Sequence, residues 1–253
     1  MRSTLGLCVL AAAMFMAAPG QAQWRTPWAY EKGPIGPEHW GDLDPDYAAC
    51  KSGRAQSPIN IAHATKTALP PLAFAFRDGP VRIVNNGYTA VRVDYAPGNG
   101  NVLTIGDHRY ELTQFHFHHP SEEELNGRRP AMNAHFMLKS ADGKVIGVAI
   151  FIQPGRANPA AAKLWTHMPA AKGPPQTIDR LTVDPGQFLP KTLGYYLYEG
   201  SVSAPPCTEG IDWYVLKTPI TLSPAQIEAF AKLYPHDVRP IQPLNGRVIR
   251  ERK

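Results

Sequence analysis

Short runs in which apolar and polar residues alternate recur along this chain. They lie at Val81 to Val84, Thr89 to Tyr95, Val102 to Ile105, Gln114 to His118 and Ala134 to Leu138. Alternation with a period of two marks half-buried strands, because successive side chains leave a strand on opposite faces. The 26 prolines and 21 glycines separate these runs into short segments, the punctuation of a β-rich chain with many turns. Asn86-Gly87 and Asp142-Gly143 are hairpin-type turns, each followed by residues of strand character. Helical periodicity is sparse. Its best case starts at Ser223, which is placed to cap, continues with Pro224 at the first helical position, and repeats Ile227, Phe230, Ala231 and Tyr234 on one face. A second, weaker helix is expected over Pro159 to His167.

The N-terminus departs from this pattern. Arg2 precedes an apolar run from Leu5 to Ala18, followed by the small and polar Pro19, Gly20, Gln21 and Ala22, the layout of a cleavable secretory signal. The run is shorter than the roughly 20 apolar residues that span a bilayer. The expectation is a signal peptide over 1–22, one domain over 23–253, no membrane anchor after cleavage, and a periplasmic or secreted protein. Cys8 would leave with the signal. Cys50 and Cys207 remain, and in an exported chain two cysteines suggest one disulfide; two separate thiols stay open, since pairing depends on spatial proximity. The net charge of +5 comes from scattered Lys and Arg rather than a block, which speaks against a nucleic-acid partner. Arg128 and Arg129 read as a solvated loop tip. Nothing in the pattern sets an oligomeric state.

The chemistry concentrates in the histidines. In Gln114-Phe115-His116-Phe117-His118 the alternation sends both imidazoles to one face and both phenyl rings to the other. Ala134-His135-Phe136-Met137 repeats the pattern, and pairing of the two strands through the 120–130 loop would bring His135 beside His116 and His118. Three neutral imidazoles suit zinc, and three protein ligands leave a fourth position open, as in a catalytic site.

The order Gln-Phe-His-Phe-His, Pro-Ser-Glu and Ala-His-Phe resembles the alpha carbonic anhydrases. So do Gly36-Pro37-Glu38-His39-Trp40, Gln56-Ser57-Pro58-Ile59-Asn60, Asn85-Asn86-Gly87, Tyr198-Glu199-Gly200-Ser201, Pro205-Pro206-Cys207-Thr208-Glu209-Gly210 and Arg239-Pro240-Ile241-Gln242-Pro243-Leu244. The resemblance runs in order across nearly the whole mature chain. It implies a mainly β, β-rich α+β fold: a single domain around a large twisted, mostly antiparallel sheet with a few short surface helices. It also implies a Cys50 to Cys207 bridge, a zinc cofactor, and reversible hydration of carbon dioxide to bicarbonate by zinc-activated hydroxide.

By the same resemblance, Ser203 and Glu122 match the hydroxyl and carboxylate that orient the hydroxide. Gln114 matches the partner of His116, and a backbone carbonyl is expected to serve His118. Met137, Gly147, Val202, Ala204, Ile211 and Trp213 match the substrate pocket and its surroundings, and Tyr30 matches a tyrosine of the cleft. Several positions depart from the family pattern. Asn133 stands where the family has a glutamate partner for His135; an amide oxygen accepts the imidazole proton but brings no negative charge, so zinc is expected to bind about 10- to 100-fold less tightly. Tyr88 replaces a proton-shuttling histidine, and a phenol of pKa about 10 cannot readily shuttle near neutrality. Of the spare groups His63, His119 and Glu123, each is expected at the surface. Met137 and Gly147 stand where valines are usual, enlarging one side of the pocket wall and reducing the other, while Ala204 removes a hydroxyl. These substitutions motivate the alternative of a catalytically weakened zinc-binding or interaction protein.

Overall fold

The structure is a computed structural model and describes residues 26–87 and 91–252. The expected signal peptide and Tyr88 lie outside the described residues.

Eight strands organise the chain: β1 (Gly79–Asn85), β2 (Val91–Asp94), β3 (His108–His118), β4 (Met132–Lys139), β5 (Val145–Pro154), β6 (Gln176–Val183), β7 (Tyr195–Ser201) and β8 (Glu209–Leu222). They lie side by side in the order β6-β1-β2-β3-β4-β5-β8-β7. Short strands Arg250–Arg252 and Thr65–Thr67 extend the β7 edge, and Val102–Ile105 with Leu72–Ala75 attach beside β3, making a sheet of 12 strands among the described residues. Neighbours pair antiparallel except β5 with β8 and Arg250–Arg252 with Thr65–Thr67 among the described residues. The mainly β class and its large, mostly antiparallel sheet with few short helices follow the sequence reading.

Asn86-Gly87 leads out of β1 toward β2, with Gly87 at φ +75° and its N–H donating to Asn85 Oδ1 at 2.9 Å. Asp142-Gly143 turns β4 into β5, with Gly143 at φ +94° and its N–H donating to Ser140 O. Glycine adopts such angles without the steric cost a Cβ would add. The helix Pro224–Leu233 begins at Ser223 with a complete capping box closed by Gln226, and buries Phe230. Pro159–Trp165 is also helical, capped by Asn158. Among the described residues no helix is long and apolar enough to cross a membrane.

Two apolar clusters lie on opposite faces of the central strands. Phe115, Phe117 and Phe136 point into the larger, where Phe188 and Phe230 meet them. The smaller contains Ala149, Phe151, Ile211, Trp213 and Val215, with Met137 and Val202 packed against it. The histidines alternate with the phenylalanines and so face the smaller cluster. A third cluster gathers Trp28, Tyr30, Trp40, Tyr47, Ala204 and Cys207 beside Cys50. There Cys50 and Cys207 form a disulfide across a sequence separation of 157.

Candidate metal centre

Register places the three histidines together. β3 and β4 pair with His116 opposite His135 and His118 opposite Asn133, and residues opposite one another in a ladder share a face. One ring nitrogen from each of His116, His118 and His135 lies within 4.8 Å of the others. His118 is fully buried, His135 nearly so, and His116 is 9% exposed.

Each ring is oriented through its other nitrogen. His116 Nδ1 meets Gln114 Oε1 at 2.8 Å, leaving Nε2 free. His118 Nδ1 meets the backbone oxygen of Asp237 at 2.8 Å, and its Nε2 is buried with no hydrogen-bond partner. His135 presents Nε2 to both oxygens of Glu123 at 3.2 Å, leaving Nδ1 free. A carboxylate or carbonyl accepting from the far nitrogen fixes tautomer and ring angle, so that in their neutral forms the three rings direct one lone pair each toward a common point. Burial, with His118, His135 and Arg92 nearby, pushes His116 well below its ordinary pKa and keeps that ring neutral. His118 moves the other way: burial alone would lower it, but Glu122 and Asp237 outweigh burial and hold its pKa up at about 9 in the metal-free protein.

The expected contact between Asn133 oxygen and His135 does not form. Asn133 Oδ1 faces the Glu122 N–H at 3.4 Å, which turns its amide nitrogen toward Glu123 Oε2 at 2.5 Å and toward His135 Nε2 at 2.9 Å. An NH2 group cannot accept the imidazole proton; Glu123 accepts instead. Glu123 is therefore not a surface residue: it is fully buried, and although burial works against its charge, the facing His135 holds the carboxyl below its ordinary value. His63 is exposed, as expected, while His119 is half-buried.

Glu122 is fully buried beside the histidines. Its Oε1 accepts from the Arg239 N–H at 3.2 Å, and its Oε2 has no hydrogen-bond partner, lying 3.6 Å from His118 Nε2 and 3.8 Å from His135 Nδ1. Ser203 is 7% exposed, and among the described residues its hydroxyl makes no hydrogen bond to Glu122. Arg129 clamps the loop carrying both glutamates, donating to Ser121 O at 2.7 Å, Glu122 O at 3.0 Å and Glu124 Oε1 at 3.0 Å. Half-buried with three such bonds, it is a clamp rather than a solvated tip. Arg239 performs a similar task from inside: it donates to Gln56 Oε1, Ser57 O and Cys50 O, and lies over Trp40. Sequence reasoning placed Glu123 at the surface and Arg129 in solvent, and gave no role to Asp237 or Arg239. The only signal for the first was a second glutamate directly after Glu122.

Of the residues matched to the substrate pocket, Met137, Val202, Ile211 and Trp213 gather in the smaller apolar cluster, with the Trp213 ring 4.5 Å from that of His135. Gly147, between Met137 and Trp213 in register, leaves no hollow: a Cβ there would meet the Trp213 ring at 2.5 Å. The wall is therefore not opened on that side, because the indole fills the space. Ala204 packs instead in the third cluster with Trp28, Trp40 and Tyr30, whose buried Oη has no hydrogen-bond partner.

Residues 35–253 match the family model for eukaryotic-type carbonic anhydrase. The chain belongs to this carbonic anhydrase family. It is 40% identical over 250 residues to a carbonic anhydrase of Pectobacterium carotovorum, covering 98% of this chain and 99% of that protein. Against a carbonic anhydrase of Nostoc it is 37% identical over 255 residues, covering 98% and 94%. Its fold superposes on an alpha carbonic anhydrase of Thermovibrio ammonificans, solved with the inhibitor sulfanilamide, with TM-score 0.83 and 39% identity over 89% of this chain and 99% of that one. Carbonic anhydrase membership carries the family's reaction, the hydration of carbon dioxide, with bicarbonate as its product.

Proposed function

We propose that His116, His118 and His135 hold a zinc ion and that the chain hydrates carbon dioxide reversibly there. The observation that carries this reading is His118 Nε2, buried without a partner and converging with the free nitrogens of His116 and His135. A buried polar nitrogen without a partner is costly unless something fills the site, and three imidazoles that bind in their neutral form, with an open fourth position, suit catalytic zinc. Bound there, zinc supplies the Lewis acidity that makes water a strong nucleophile near neutral pH.

The chain's own residues do the rest. Gln114, the Asp237 carbonyl and Glu123 orient the three rings. Glu122 Oε2 has no protein donor and is available to a hydroxyl, which we assign to Ser203; a serine that donates to Glu122 has its lone pairs left to accept from the reacting water and orient it. Met137, Val202, Ile211 and Trp213 present an apolar wall to carbon dioxide. Tyr88 supplies no proton acceptor near neutrality, so proton export is slow relative to attack. The mature enzyme, 23–253 after loss of a signal over 1–22, acts in the periplasm or outside the cell, a placement that the disulfide supports.

Metal analysis of the purified mature protein tests the site: one zinc per chain is expected, lost in His118→Ala. A zinc content that His118→Ala leaves intact would contradict it.

A further inference from the structure

We infer that Glu123, not residue 133, is the anionic positioning residue of the centre, and that Asn133 is the clamp that holds Glu123 against His135. The inference rests on the zinc reading above and adds to it the source of the charge behind the third ligand.

The geometry is over-determined. Glu123 Oε1 and Oε2 each lie 3.2 Å from His135 Nε2. Asn133 Nδ2 donates to Oε2 of the same carboxylate, while Asn133 Oδ1 is taken by the Glu122 backbone N–H. That second contact decides which way the amide points: rotating it by half a turn would set its oxygen against the carboxylate and leave the Glu122 N–H facing an NH2 group. Asn133 and Glu123 are fully buried and His135 is 1% exposed, so solvent does not screen the pair. Glutamate at 123 and asparagine at 133 thus form a matched set, with one negative charge between them. An acidic residue at 133 would place a second carboxylate against the first, two like charges with the single His135 N–H to share.

This reverses the expectation drawn from position 133 alone. The zinc ligand does not lack a carboxylate; its carboxylate comes from the loop after β3 rather than from β4. Partners of this kind raise the basicity of a ligating imidazole and fix its direction, and altering one commonly costs about 10- to 100-fold in metal affinity.

Zinc affinity of the mature protein, read by competition with a chromophoric chelator, tests the assignment on the parent chain, Glu123→Gln, Asn133→Asp and the double variant. Glu123→Gln is expected to weaken zinc about 10- to 100-fold. Asn133→Asp in the parent background is expected not to tighten it. The double variant moves the charge to an atom position 2.9 Å from His135 Nε2 and is expected to recover most of the loss. A merely structural role for Glu123 would not be rescued by relocating a charge. Unchanged affinity in Glu123→Gln, or tighter zinc in Asn133→Asp alone, would overturn the inference; should Glu123→Gln fail to fold, the Asn133→Asp single variant decides. A parent chain that binds no zinc at all would instead overturn the underlying metal reading.

Discussion

The indole of Trp213 occupies the space into which a side chain at Gly147 would grow. A Cβ at position 147 would lie 2.5 Å from Trp213 Cε3 and 2.6 Å from Cζ3. The same ring is held by Nε1 donating to Ser201 O at 2.9 Å, and it packs against the His135 ring at an interplanar angle of 54°. Gly147→Val cannot be accommodated without displacing Trp213. Overpacking of this kind typically costs about 1–3 kcal/mol, so the denaturant midpoint of the variant is expected to fall by that equivalent. An unchanged midpoint would show that Trp213 moves freely and does not brace the centre.

The site was legible in the sequence where the backbone period controls direction. His116 and His118 declared a shared face because they alternate with Phe115 and Phe117, and the same logic found His135. The helix after Ser223 was legible because its cap, proline and apolar face agree. Strand β5 gave no alternation to read: Ile146 through Ile152 are buried throughout, as expected of a strand covered on both faces. Its parallel pairing with β8, which sets Gly147 beside Trp213, depends on long-range topology that no local pattern carries. Glu123 was misread because loop residues have no period. Its inward direction comes from Asn133 and His135 on a neighbouring strand, and from Arg129 tying down the loop.

The disulfide joins the segment that anchors Arg239 to the loop before β8. Cys50 O accepts from Arg239 Nη2, whose backbone N–H in turn donates to Glu122. Replacing both cysteines by serine is expected to cost about 2–5 kcal/mol, the usual range for a native bridge. Chemical denaturation of the variant and the oxidised parent measures it. A loss below about 1 kcal/mol would mean that the non-covalent network alone holds this segment.

Zinc binding should be pH-dependent through His118. In the metal-free protein its pKa is held at about 9, above the ordinary 6.5. The stability gained from charging it is fully present below 6.5 and is lost as pH rises through about 9. Zinc requires the neutral ring, so below about 9 it must displace that proton. Apparent zinc affinity should rise about tenfold per pH unit from neutrality and flatten above about 9. Competition titrations across that range check this; an affinity flat through neutrality would mean that His118 is already neutral.

Tyr88→His should raise buffer-dependent turnover, since an imidazole titrates near neutrality and a phenol does not. Ester hydrolysis, which does not wait on the same proton export, should change little. Equal gains in both activities would show that proton transfer is not what position 88 limits.

The most direct test is stopped-flow carbon dioxide hydration on mature protein whose zinc content is measured on the same sample. The expected result is a rate well above buffer that scales with zinc occupancy and disappears on chelation. Stoichiometric zinc with no rate above buffer would contradict the enzyme reading.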